Sequence, residues 1–171
     1  MNARALSLSL IALVAFFLSQ GRLKAQQFGS LSVGFPTLSG VMTVGHSCNI
    51  SQTASFTYTN ATSSAITFTF WGNISINNSI ETATTTTVTS VTSTASITVD
   101  GNRVTIPPGA TASATVSSQG QVTASSTDQN TVTGAVGETS DRSDDNGSVG
   151  SSSIYVNPIP DTREIKNKSN N

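Results

Sequence analysis

Side chains that could carry out acid–base or nucleophilic chemistry are few in this chain of 171 residues. His46 is the only histidine, so a Ser-His-Asp arrangement would need it beside a serine and one of few acids. A glycosidase needs two facing carboxylates, whereas Glu81 and Asp100 are better explained as a solvated strand end and a hairpin tip. We therefore expect no catalytic site and no enzyme activity.

Metal and cofactor motifs are equally sparse. Cys48, the only cysteine, alternates with His46 on one candidate strand, and no second pair of zinc ligands follows. A small buried hydrophobe is favoured for Cys48 over a thiol that pairs with another chain. The acidic segment 141–148 faintly resembles a calcium loop, but its spacing and its missing twelfth-position Glu favour a solvated linker. We expect no metal and no cofactor.

Nucleic-acid and nucleotide binding are also not indicated. Arg103 stands alone in the middle of the chain, so there is no basic patch to neutralise phosphates. No glycine-rich phosphate-binding loop occurs either. The expected partners are therefore surface proteins or glycans, or other copies of the chain, and not nucleic acid.

The first 25 residues have the pattern of a signal peptide. Residues 1–4 carry a positive charge, residues 5–18 form an apolar run and residues 19–25 are polar. The apolar run is shorter than the about 20 residues that span a bilayer. Cleavage is predicted after Ala25, with Gly21 as a weaker site, and an uncleaved N-terminal anchor is the alternative. The pattern predicts a secreted or cell-surface protein with no transmembrane segment after cleavage.

The remaining chain divides by charge into residues 26–136 and residues 137–171. The first part is rich in Thr, Ser and Val and carries only four charged side chains, which are Glu81, Asp100, Arg103 and Asp128. The second part carries ten charged residues, few aromatics and many small polar residues. Such a composition buries little apolar surface. We predict one domain that ends near Val136, followed by a disordered polar tail.

Residues 52–72 organise the predicted domain. Ala54, Phe56 and Tyr58 alternate with Ser and Thr before a polar linker, and Ile66, Phe68 and Phe70 alternate with Thr after it. A period of two places these apolar side chains on one face of each strand. Two such runs joined by a short linker predict an antiparallel pair.

Further short strands follow at regular spacing. The clearest turn is Asp100-Gly101-Asn102, because Asp-Gly tolerates positive φ; another turn is predicted at Gln119-Gly120. Additional strands are predicted at residues 31–35, 41–44, 81–91, 96–99, 103–106, 110–116, 121–125 and 131–136. No helical period appears after the first 25 residues. The pattern predicts an all-β fold with a single antiparallel β-sandwich.

The runs FTYTNATSSAITFTF and VTIPPGATASATV carry a resemblance to a known class. They resemble the bacterial immunoglobulin-like sandwich modules of the cell-adhesion-related and ASPM–SPD-2–Hydin types, in which an Ile-x-Pro-Gly motif precedes a strand with a Val. Ile106, Pro108, Gly109 and Val116 fill that motif here. The resemblance covers residues 52–116 and is interrupted by a Thr-rich insertion. It implies an immunoglobulin-like fold and a non-catalytic extracellular role in adhesion, spacing or assembly.

Six Asn-x-Ser/Thr sequons occur, and about four would arise by chance in a chain so rich in Ser and Thr. They are compatible with N-glycosylation but do not establish it. The sequons are at Asn49, Asn60, Asn73, Asn77, Asn146 and Asn167.

Three functions remain open. The favoured one is a structural or adhesive surface module. The second is a self-assembling fibre subunit, in which Leu31, Val33 and Phe35 form a strand that completes a neighbour's sheet; an ordinary first strand of the same chain is preferred. The third is a carbohydrate-binding module that uses Trp71, which alternation places on the face opposite Phe70. A Thr-rich ice-binding surface is a distant fourth, because the Thr run shows no fixed repeat.

Overall fold

The computed structural model describes residues 29–77, 79–80 and 84–162. The predicted signal peptide, Glu81 and the sequon at Asn167 lie outside the described residues. No helix among the described residues is long and apolar enough to cross a membrane.

The described residues form two antiparallel sheets. Sheet 1 has the strand order β1-β3-β9-β6, with β2 also paired to β3. Sheet 2 has the order β11-β10-β4-β8-β7, with β5 also paired to β4. The strands are β1 (Ser30–Val33), β2 (Thr37–Leu38), β3 (Ser47–Thr59), β4 (Ile66–Ile76), β5 (Ser79–Ile80), β6 (Thr85–Ser93), β7 (Thr98–Asp100), β8 (Arg103–Ile106), β9 (Thr111–Thr123), β10 (Asn130–Ser140) and β11 (Ser148–Val156). The predicted all-β sandwich is confirmed.

The space between the sheets holds two apolar clusters. One is aromatic and centred on Phe56, Phe68 and Phe70. The other is aliphatic and includes Ile50 and Ile74. The predicted inner faces of residues 52–58 and 66–70 are therefore correct, because alternation alone decides which side chains of a strand share a face.

The predicted pairing of those two segments is wrong. β3 pairs with β1, β2 and β9, whereas β4 pairs with β10, β8 and β5, so the two strands lie in opposite sheets. The linker between them is anchored by Asn60, which is fully buried and donates from Nδ2 to the carbonyl oxygens of Ser64 and Ile106, at 2.8 and 2.9 Å. Their aromatic faces consequently meet across the core instead of lying side by side.

The predicted domain boundary at Val136 is also wrong. It falls inside β10, and the next strand, β11, pairs with β10 along its length, from Asn130↔Val156 to Glu138↔Ser148. β11 needs few apolar residues because it is an edge strand held by backbone hydrogen bonds, with Ile154 and Val156 packed on the aliphatic cluster. The predicted disorder therefore fails for residues 137–162, and residues 163–171 lie outside the described part of the chain.

The turn predictions had mixed outcomes. The Asp100-Gly101-Asn102 hairpin is confirmed, since Gly101 has φ +57° and Asp100 pairs with Arg103. The turn predicted at Gln119-Gly120 is absent, because β9 runs through both residues. The strand predicted at residues 41–44 is reduced to an isolated parallel bridge between Thr43 and Ile159.

Candidate functional site: the outer faces of the sandwich

His46 is paired with a carboxylate at the surface. Its Nε2 lies 2.9 Å from Oδ2 of Asp161, and both side chains border an open depression of about 510 Å³ that Thr127 also lines. Cys48 is buried in the aliphatic cluster and donates weakly to the Asn49 carbonyl, as expected of a small core hydrophobe. Among the described residues, no three His, Cys, Asp or Glu side chains are grouped closely enough to hold a metal. The absence of enzyme activity stays a prediction.

The acidic segment 141–148 is an ordered loop between β10 and β11. Asp141 Oδ1 accepts a hydrogen bond from the Thr67 backbone N–H at 3.0 Å. Asp145 accepts from the backbone N–H groups of Ser140 and Gly147, at 3.1 and 2.9 Å. These carboxylates therefore cap the loop backbone, and the predicted solvated linker is corrected to a folded connection.

Glu138 lies beneath this loop and is only 1% exposed. Burial raises the pKa of its carboxyl group above the ordinary value, a hydrogen bond with Ser148 opposes the shift, and nearby Asp145 adds to it. Its Oε2 has no hydrogen-bond partner among the described residues. Glu138 falls within the predicted polar tail, so the sequence did not indicate that this acid is buried.

The outer face of sheet 1 is built only from uncharged polar side chains. No strand of this sheet contains Asp, Glu, Lys or Arg. We call the outward side chains of β3 and β9 the hydroxyl face; they are Ser47, Asn49, Ser51, Thr53, Ser55, Thr57, Thr59, Thr111, Ser113, Thr115, Ser117, Gln119, Gln121 and Thr123. The flanking strands β1 and β6 add further outward hydroxyl groups, from Ser30, Ser32, Thr87 and Thr92.

Cross-strand register arranges the hydroxyl face in rows. Thr57 lies opposite Ser113 with their hydroxyl oxygens 3.0 Å apart, and Thr59 lies opposite Thr111 at 2.8 Å. Strand spacing of about 4.8 Å and an i, i+2 repeat of about 6.7 Å give a two-dimensional array. Hydrogen bonds between neighbours restrict the side-chain rotamers, so the array is partly preorganised.

One end of the hydroxyl face is concave. A depression of about 630 Å³ lies there, bordered by side-chain amides and hydroxyl groups. Gln121 Nε2 donates to Asn49 Oδ1 at 2.8 Å, which orients both amides. The polar side chains at its rim are Ser39, Asn49, Ser51, Thr85, Gln119 and Gln121. These groups can donate and accept hydrogen bonds without adding charge.

Trp71 lies on the outer face of sheet 2, as alternation predicted, and is 43% exposed. Its cross-strand neighbour on β10 is Gly137, and a Cβ atom there would overlap the indole ring. The ring therefore lies against the backbone of β10 and presents the rest of its surface outward. Binding of a carbohydrate by Trp71 stays a prediction.

The N-terminal segment is an edge strand of the chain's own sheet. β1 pairs with β3, from Ser30↔Thr57 to Val33↔Ala54, and Leu31 and Val33 pack on the aromatic cluster. Phe35 does not share their face, because it is 72% exposed. Between the pairs Val33↔Ala54 and Thr37↔Ser51, three residues oppose two, and this extra residue turns Phe35 outward.

The same segment closes one side of the sandwich. The Gly34 carbonyl accepts from Gln52 Nε2 at 2.8 Å and from Ser152 Oγ at 2.6 Å. Gln52 also donates to the Gly134 carbonyl at 3.2 Å, so one buried amide of β3 binds both β10 and the residue that follows β1. A Cβ at Gly150 would press on Val33, which explains the glycine in β11 at this seam. No sequence signal marks this junction, because Gln52 is one polar residue among many.

Comparison with known proteins gives no family. No family model and no curated protein matches the chain. A crystal structure of a protein from Archaeoglobus fulgidus aligns with 75% of this chain and 97% of its own length, at 14% sequence identity and a TM-score of 0.41. The predicted immunoglobulin-like relationship stays a prediction.

Proposed function

We propose that this protein is a secreted, non-catalytic structural or adhesive module whose hydroxyl face holds neutral, hydroxyl-rich polymers at a cell surface. The observation that carries the proposal is the outer face of sheet 1, which is four strands wide and free of charged residues. An immunoglobulin-like role in adhesion, as the resemblance implies, is part of this proposal.

A neutral polysaccharide suits this face for an energetic reason. Its hydroxyl groups exchange hydrogen bonds with water for hydrogen bonds with Ser, Thr, Asn and Gln, and no ion has to be stripped of water. Each exchange contributes little, so affinity requires many contacts in register, as a broad array provides. The depression beside Asn49 and Gln121 offers a place where a single chain end or branch is held more closely.

The test is adsorption of the mature protein to insoluble cellulose, chitin and starch, measured by depletion from solution. Thr53→Lys and Thr57→Lys together place two charges on the hydroxyl face. We expect about a tenfold loss of affinity for the polymer that binds, equivalent to about 1.4 kcal/mol, because the ammonium groups must keep their water.

A matched control lies on the other sheet. Thr133 and Ser153 form an exposed cross-strand hydroxyl pair at 2.8 Å, as Thr57 and Ser113 do at 3.0 Å. Thr133→Lys and Ser153→Lys together add the same two charges on sheet 2 and should leave adsorption unchanged. Equal adsorption by the wild-type protein and the double variant, or an equal loss in the control, would contradict the proposal.

A second candidate function is self-assembly by exchange of β1 between copies of the chain. It is favoured by the position of β1, which packs between β3 and β11 at one side of the sandwich. A β1 strand from a neighbouring copy could make the same contacts through Leu31 and Val33, with the bulge at Phe35 as the hinge. Size-exclusion chromatography with light scattering distinguishes the arrangements. Concentration-dependent polymers that disappear in Val33→Asp would support exchange, whereas a monomer at all concentrations would reject it.

A further inference from the structure

The tripeptide Asn-Ile-Ser occurs twice in the chain, at residues 49–51 and 73–75, and each copy is an N-glycosylation sequon inside a strand. Both asparagines point outward, because Ile50 and Ile74 are buried in the aliphatic cluster. The two sites differ in what precedes them by two residues. Ser47 precedes Asn49, whereas Trp71 precedes Asn73.

That difference puts an exposed aromatic ring beside Asn73. Residues i and i+2 of a strand share a face and lie about 6.7 Å apart. The cross-strand neighbours on β10 are Ala135 for Asn73 and Gly137 for Trp71. Only small side chains therefore lie on the outer face of β10 beside these two residues. Among the described residues, the Asn73 side chain has no hydrogen-bond partner.

The asparagines of two other sequons, Asn60 and Asn77, already use their side-chain amides in hydrogen bonds within the fold. Asn60 is buried, and its Nδ2 already donates twice while its Oδ1 accepts from the Thr62 backbone and hydroxyl, at 3.0 and 2.7 Å. Asn77 donates from Nδ2 to Asn130 Oδ1 at 2.6 Å, and its own Oδ1 accepts from the Thr131 backbone at 2.9 Å. A glycan on either Nδ2 would replace a donor that the structure uses.

We infer that Asn73 is an N-glycosylation site and that the first sugar of its glycan packs on Trp71. A lipid-pyrophosphate-linked oligosaccharide of the secretory route is the donor. A bond forms between Asn73 Nδ2 and the anomeric carbon, the bond from that carbon to the pyrophosphate oxygen breaks, and Nδ2 loses one proton to a base of the transferase. The attached pyranose then lies within reach of the indole, and its C–H groups cover apolar surface that is otherwise exposed.

A glycan on Asn73 would account for the outward Trp71 without an external ligand. It is independent of the hydroxyl face, which belongs to the other sheet. Either can fail while the other stands.

The first test is glycopeptide mapping of the full chain, secreted from a eukaryotic host that attaches N-glycans. Occupied Asn73 in the folded, secreted protein is expected. Unmodified Asn73 would overturn the inference.

The second test uses Trp71 as its own reporter, since it is the only tryptophan in the chain. An endoglycosidase trims the glycan to one sugar, and a peptide amidase removes it entirely, converting the asparagine to aspartate. Acrylamide quenching should stay low with one sugar attached and rise at least about twofold on complete removal, because the sugar covers the outward surface of the ring, which the β10 backbone leaves exposed. Equal quenching in the two forms would overturn the packing.

Two variants complete the design. In Asn73→Gln, Trp71 should be quenched as it is in the fully deglycosylated protein, and treatment with either enzyme should leave that quenching unchanged. Asn49→Gln removes the matched sequon on the other sheet and should leave the quenching of Trp71 as in the parent protein. A change in Asn49→Gln as large as that in Asn73→Gln would attribute the protection to something other than the Asn73 glycan.

Discussion

Phe68→Ala removes a side chain that joins the two sheets. Phe68 belongs to β4 in sheet 2 and is 2% exposed. Its ring centroid lies 4.8 Å from that of Phe56 and 4.7 Å from that of Tyr58, and both of these belong to β3 in sheet 1. Lost burial plus the cavity left between the sheets should lower the free energy of unfolding by about 3–5 kcal/mol. That is a large share of a typical stability of about 5–15 kcal/mol.

Urea unfolding followed by circular dichroism measures this loss, with Thr67→Ala as the control. Thr67 is the preceding residue, points outward and shares a hydroxyl contact of 3.0 Å with Thr105, so its truncation should cost about 1 kcal/mol or less. A double-mutant cycle of Phe56→Ala and Phe68→Ala should give a coupling energy of about 0.5–1.5 kcal/mol. Equal losses for Phe68→Ala and Thr67→Ala, or no coupling with Phe56, would refute the account of the core.

Three further predictions concern other parts of the molecule. Glu138→Gln should raise the free energy of unfolding at neutral pH, because burial raises the pKa of Glu138 in the folded protein. The stability that protonated Glu138 contributes is fully present below the unfolded pKa of about 4.3 and is lost as pH rises through the folded pKa. Urea melts from pH 4 to pH 8 in which the wild type and the variant show the same pH dependence of stability would contradict this. Gln52→Leu should cost about 1–3 kcal/mol, because the Gly134 carbonyl loses its bond from Nε2, and unchanged melting would show that this junction contributes nothing. The secreted protein should begin at Gln26, and N-terminal mass spectrometry that finds residues 1–25 intact would reject the signal peptide.

Sequence alternation predicted which side chains face the core, but it did not predict which strands pair. Phe56 and Phe68 are inward in either arrangement, because a period of two is satisfied equally by a hairpin and by a crossing between sheets. The difference lies in the linker, where Asn60 is buried and binds the carbonyl of Ile106, 46 residues away. Such a long-range contact leaves no local signal.

β11 was missed because composition describes side chains, whereas an edge strand is held mainly by its backbone. Five of its nine residues are Ser or Gly, and it follows a charged segment, which together favoured disorder. Small residues are nevertheless required at this seam, since a Cβ at Gly150 would overlap Val33. Gly150, one of the residues that favoured a tail, is therefore a condition for close packing at this edge.

The hydroxyl face could have been found from the sequence, because the outward positions of β3 and β9 are all Ser, Thr, Asn or Gln. What the sequence could not give is their alignment. Only the register, in which Thr57 lies opposite Ser113, converts two Thr-rich segments into one array. By contrast, Trp71 was placed correctly, since one strand decides its direction.

Binding of neutral glycans to the hydroxyl face can be observed residue by residue in amide NMR spectra of the labelled protein, titrated with soluble cello-, chito- and malto-oligosaccharides. Chemical-shift changes should concentrate on the outward residues of β3 and β9, from the pair Asn49↔Gln121 to the pair Thr57↔Ser113. Changes confined to sheet 2, or no change with any of the three sugars at millimolar concentration, would contradict it.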